Sequence, residues 1–186
     1  VRSRRQRQMC IRDRGVHADL IGRTDLITES LDQAVLAALR ETVAECSAFM
    51  AEYGYAHALR TAESFFWAFT DDYVELAKDR SYGSVGEAGQ LSAHATLATA
   101  LDVLLRLFAP FMPFVTEEVW SWWRSGSVHR AAWPQADDLP AFEADTQALG
   151  HVGDVLGELR RAKTEAKVSQ KTPITSVTVT VPEAVL

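Results

Sequence analysis

Two prolines three residues apart, Pro110 and Pro113, interrupt an apolar run that extends from Leu107 to Trp120. Pro110 disfavours helical geometry at Ala109 and removes a backbone donor, so a helix arriving there must stop. Pro113 suits the first turn of a new helix, where its missing N–H costs nothing. Glu117 and Glu118 are expected to place negative charge near that helix's positive end. Adjacent helical positions point about 100° apart, which makes this pair unsuitable for shared acid–base chemistry. With Phe108, Phe111, Met112 and Phe114 in the corner, the pattern predicts two helices joined at a fixed angle inside a core.

The 186 residues suffice for one well-buried domain with a small appendage. Charge or proline breaks the apolar runs before they reach membrane-spanning length, so no membrane partner is expected. Cys10 and Cys46 form no metal or redox pattern, and a reducing, cytoplasmic setting is expected. His17, His57, His94, His129 and His151 show no ligand spacing, so no metal site is expected. Charge is uneven. Against a total of −6, Arg2, Arg4, Arg5, Arg7, Arg12 and Arg14 with Asp13 give the first fourteen residues +5, leaving −11 elsewhere. A body of that charge excludes a binder held to nucleic acid by bulk electrostatics. The leader at 1–14 has no apolar periodicity. It resembles translated adaptor DNA and is read as non-native in preference to an RNA-binding arm.

Between these features the pattern is helical. Ser30 with Gln33 has the form of a capping box, followed by Leu31, Val35, Leu39, Thr42, Cys46 and Phe49 at helical spacing to about Glu52. A second helix is expected from Tyr55 to Lys78, with Leu59, Ala62, Phe66, Phe69, Tyr73 and Leu76 on its inner face. Gly83, Gly86 and Gly89 mark a loop, and a third helix is expected from Ala88 to Phe108. His94 among its leucines, like Cys46, reads as a core residue. A fourth helix from Pro113 to Arg124 carries Trp120, Trp122 and Trp123, and an extended segment then leads to Trp133-Pro134, with Trp133 expected to cover one of those rings. A linker from Gln135 to Glu143 precedes a fifth helix from Ala144 to Ala166. The alternation from Ile174 to Val181 predicts a β-strand. The fold class is mainly α: an antiparallel helical bundle with a short C-terminal strand beginning a second region.

Three stretches in order carry a family resemblance: Phe65 to Arg80, the double-proline corner, and Ser127-Val128-His129 through Trp133-Pro134. They resemble the anticodon-binding domain of class I aminoacyl-tRNA synthetases of the valine, isoleucine and leucine group. Tyr73 to Lys78 and Leu159 to Ser169 are more similar to the valine enzymes than to the isoleucine enzymes. Beyond the leader at 1–14, the resemblance implies an anticodon-binding bundle at 15–142, and at 143–186 a C-terminal helix with the start of a small α/β region. The signature motifs of the group's catalytic domain are absent. Lys167 to Lys171 matches one of them only superficially, because it follows a C-terminal helix. The catalytic and editing domains are missing as well, so this segment alone is expected to be inactive, with no catalytic, cofactor or metal residue. ATP and magnesium would serve the parent enzyme. Its implied partners are a valine-accepting tRNA and the missing catalytic domain of the same chain, and the parent is expected to be a monomer.

RNA loops are read by stacking bases on aromatic or guanidinium planes, while phosphate contacts give affinity and register. The residues that suit such work are Arg60, Trp67, Lys78, Arg80, Arg160, Arg161, Lys163 and Lys167. For the cations near helix ends, complementing the helix dipole is the alternative role. Arg60 has Glu63 and Ser64 as alternative partners, and Trp67 has a neighbouring helix. A different class of function also stays open: a free-standing helical module that binds another protein.

Overall fold

The structure, a computed structural model, describes residues 18–170 and 172–180. The leader at 1–14, Cys10, His17, Lys171 and Val181 lie outside the described residues. Two compact units divide between Leu149 and Gly150. In the first, short 3-10 turns at Ala18–Leu20 and Thr24–Leu26 lead into helix α1, Ser30–Ala51. Helix α2 is Tyr55–Ala68, a π-helical turn follows at Phe69–Tyr73, and α3 is Val74–Ser81. The long α4, Glu87–Phe108, and the short α5, Pro113–Trp120, complete the bundle.

The up-down order follows from which ends meet. Asp32 at the start of α1 reaches Arg80 at the end of α3, while Cys46 near the end of α1 donates to the carbonyl of Ala58 at the start of α2. Phe66 meets Phe108 edge-to-face, which brings the last turn of α2 to the end of α4. The expected inner face of α1 is buried at Val35, Leu39, Thr42 and Cys46. Helix α4 is the axis. It is long and apolar enough to cross a membrane, but 83% of its apolar window is buried in the bundle.

The second helix departs from its expected periodicity. Ala58, Ala62, Phe65, Phe69, Tyr73 and Ala77 are buried, whereas Phe66 and Leu76 are half-buried. The π turn closes i→i+5 hydrogen bonds and absorbs one extra residue. That shift carries Ala77 to the inner face in place of Leu76. The capping box is also corrected. Glu29 is the N-cap without a side-chain bond, and Gln33 Nε2 donates to the carbonyl of Ile27. The Thr28 and Glu29 amides instead donate to Ser92 Oγ on α4, a partner no local pattern contains.

The proline corner forms where expected: α4 ends at Phe108 and Pro113 opens α5. Its surroundings differ. Phe108 is buried and Phe111 half-buried, but Met112 and Phe114 are exposed. Glu117 does not serve the start of α5. Its carboxylate accepts from Ser127 Oγ at 2.9 Å and the Val128 amide at 3.0 Å, fastening the chain that follows. Glu118 accepts from Trp122 Nε1. Trp133 anchors its segment as expected, yet to α1 rather than the other tryptophans, by donating to Ser47 Oγ. Arg124 covers Trp120 instead, 5.0 Å from the ring centre, and also pairs with the buried Asp102.

In the second unit α6, Ala148–Glu165, ends in a Schellman turn. The Lys167 amide donates to Thr164 O and the Val168 amide to Lys163 O, with Lys167 itself at φ 54°. There is no strand among the described residues. Ile174 to Thr180 alternate in the sequence yet are all exposed, because alternation selects faces and supplies no neighbour to pair with.

Burial, reinforced by Glu45, pushes the Cys46 thiol from 9.0 up to about 11. Below pH ~9 the thiol is neutral in both states and has no effect on stability. Above that, the unfolded chain ionises while the folded one resists, so stability falls until the folded thiol itself titrates. The expected loss is about 2 kcal/mol between pH ~9 and ~11. Urea midpoints across that range will show it, and Cys46→Ala should flatten it.

Candidate nucleic-acid interface

One end of the first unit is organised by a buried carboxylate. Asp32 is fully buried and accepts from Arg80 Nη1 at 2.9 Å and Nη2 at 2.6 Å. Tyr73 donates to it at 2.9 Å and Ser92 at 2.6 Å, so α1, the π turn, α3 and α4 meet at one group. Burial, then the Asp32 charge, hold the Tyr73 phenol well above its ordinary range. The hydrogen bonds to Asp32 raise the Arg80 guanidinium further. Arg80 is therefore a structural cation. Both of its terminal nitrogens serve Asp32, and its side chain is 14% exposed.

This clamp fixes the end of α3 and the loop after it. Lys78 lies one turn before Tyr82 and pairs loosely with Glu75 at 3.2 Å. Tyr82 is 59% exposed beside a loop in which Gly83 and Gly86 adopt φ 84° and 94°. A cation and an aromatic ring at i and i+4 share a helix face. Inspection of the sequence missed Tyr82, whose signal is its position at the mouth of the glycine loop.

Arg60 and Trp67 lie two turns apart on α2, and both are exposed. Arg60 has no ion pair with any described residue, and the expected partner Glu63 does not hold it. It borders a groove of about 440 Å³ whose opposite wall holds Glu41 and Glu45. Those carboxylates disfavour phosphate and leave the guanidinium plane for a base or a peptide. Trp67 rests edge-on against Phe66 with its outer surface open.

In the second unit, Arg160, Arg161, Lys163 and Lys167 occupy the last turns of α6 and its terminal turn. Arg160 and Lys163 share a face, while Arg161 is turned aside and pairs with Glu165 at 3.1 Å. Lys163 Nζ donates to Gln170 O at 2.8 Å, and Gln170 Nε2 reaches back to Arg160 O. The turn thus gathers several cations within about 10 Å of helix. Among the described residues no cluster of histidine, cysteine or carboxylates could hold a metal. His94 Nε2 is hydrogen-bonded to Ser81 O.

Comparisons with known proteins assign this helical bundle to a family. Residues 32–179 match the anticodon-binding domain of tRNA ligases, and the chain belongs to that family. A valine–tRNA ligase of Cutibacterium acnes is 50% identical over 162 residues, covering 86% of this chain and 18% of that protein. Those of Salinispora tropica and Thermobifida fusca are 46% and 47% identical, covering 82% and 87% of this chain. The chain spans about a fifth of the length of these relatives.

Proposed function

We propose that this chain is the tRNA-reading portion of a valine–tRNA ligase, a cytoplasmic monomer in its complete form. The observation that carries the reading is the 50% identity to a valine–tRNA ligase over nearly the whole bundle. The complete enzyme would join valine to its tRNA with ATP and magnesium, using parts of the polypeptide outside these residues. This segment alone would hold tRNA without charging it. Lys78 with Tyr82, Trp67 and the cations of α6 would supply the contacts, and Arg80 would position the first pair. Ile174 to Thr180 would become a strand only against further polypeptide. The acidic body makes the interaction weak and confined to these few groups.

Equilibrium filter binding with valine tRNA transcripts tests the reading. At low salt the transcript with its own anticodon should bind at least about tenfold more tightly than anticodon-substituted ones, ~1.4 kcal/mol. Equal binding to all transcripts, or no binding at low salt, would overturn anticodon reading by this segment.

A further inference from the structure

The chain outside the leader carries −11, yet one stretch of it is free of acid. From Val119 to Ala136 it holds Arg124 and Arg130 and no carboxylate. Arg124 lies one turn beyond the end of α5, with its guanidinium over the Trp120 ring and 3.2 Å from Asp102 Oδ1. Arg106, one turn after Asp102 on α4, pairs with the other carboxylate oxygen at 2.9 Å. One buried carboxylate therefore holds two guanidiniums, and a positive charge is left over.

Arg124 and Trp120 line two open depressions, of about 420 and 480 Å³. Arg106, Ala131 and Asp138 also line the first. Arg130 precedes Ala131, is exposed, and has no side-chain partner among the described residues. Asp138 already accepts from the Gln135 amide, so three arginines here stand against two carboxylates. Donors are also in excess, because Arg106 Nε and Trp120 Nε1 are buried with no acceptor among the described residues. A guanidinium carries five N–H donors, and the Arg124 side chain, engaged by Asp102, is still 34% exposed. Pinned between a carboxylate and a ring, it has little side-chain freedom left to lose on binding an anion. Phosphate oxygens are what such a planar fork takes best. The spacing selects their source. Arg106 is fourteen residues along α4 from Ser92 of the Asp32 clamp, about 21 Å and several nucleotides of backbone. One RNA can span both places, but not with the same nucleotide.

We propose that Arg124, with Arg106 behind it and Arg130 beside it, grips one phosphodiester of the tRNA backbone outside the anticodon. This contact rests on the tRNA-binding reading above and adds to it a grip that is blind to sequence. Filter binding of the 186-residue chain to valine tRNA transcripts tests it. Replacing Arg124 and Arg130 together with glutamine should weaken binding at 50 mM salt by at least about tenfold. The log–log salt slope should become shallower by about 0.9, the share of one phosphate. Transcripts with their own and with substituted anticodons should lose alike. Arg130→Gln alone should cost at least about threefold with the melting temperature unmoved, and Arg124→Lys should keep the slope.

An unchanged slope in the double variant, or a loss confined to one anticodon, overturns the proposal. So does normal binding by Arg130→Gln together with an Arg124→Gln variant that weakens only as its melting temperature falls, which would make Arg124 a structural cation alone. Inorganic phosphate that stabilises the unaltered chain but not the double variant, with equal tRNA slopes for the two, would assign the site to a free anion and overturn it as well. If all transcripts bind equally and the double variant still has the shallower slope, anticodon reading fails and the backbone contact stands. No binding of any transcript at low salt overturns both.

Discussion

Asp32→Ala is expected to destabilise the first unit by about 3–5 kcal/mol, the largest effect of any single substitution considered, read as a shift in the urea midpoint. The carboxylate accepts hydrogen bonds from Arg80, Tyr73 and Ser92. Removing it strands a guanidinium that is only 14% exposed and two buried hydroxyls. Most of the expected loss is the desolvation of those orphans rather than the strength of the ion pair itself. Tyr73→Phe, which removes one donor and leaves the carboxylate served by three, should cost only about 1 kcal/mol. A similar small loss for Asp32→Ala would show that water replaces the carboxylate and that the clamp does not organise the loop at Tyr82.

Neutralising Arg160, Arg161, Lys163 and Lys167 together with glutamine is expected to remove the steep salt dependence of tRNA binding. If all four cations meet phosphates, affinity of the unaltered chain should fall about 100-fold between 50 and 200 mM salt. The fourfold variant should bind weakly at both concentrations, with a nearly flat slope. Arg161 should matter least, because Glu158 and Glu165 flank it at 3.9 Å and 3.1 Å. Glutamine is a good helix former, so α6 should survive the change. A variant with the original slope would assign these cations to the helix end alone, where their charge complements the dipole.

Local chemistry made much of the bundle legible. The apolar stripe of α1 and the stop and start at Pro110 and Pro113 each follow from periodicity or from what proline does to its neighbours. The misread features share a different origin. Ser30 and Gln33 have the form of a capping box, but Ser92, sixty residues away, satisfies the amides before α1. The stripe on the second helix slips by one residue because a π turn intervenes, and no composition rule marks that turn. Arg80 and Lys78 look alike as cations near a helix end. Only the buried carboxylate on another helix makes one of them structural and leaves the other near the surface.

By itself, then, the sequence determined the helices, their order and the break at the double proline, because each depends on residues within a turn or two of one another. Tertiary structure alone decided which polar groups are consumed in holding the helices together and which apolar ones remain outside. The corner shows the division. Its prolines stop and start helices wherever they are placed, but whether Phe114 meets protein or water depends on how much of the polypeptide is there to cover it.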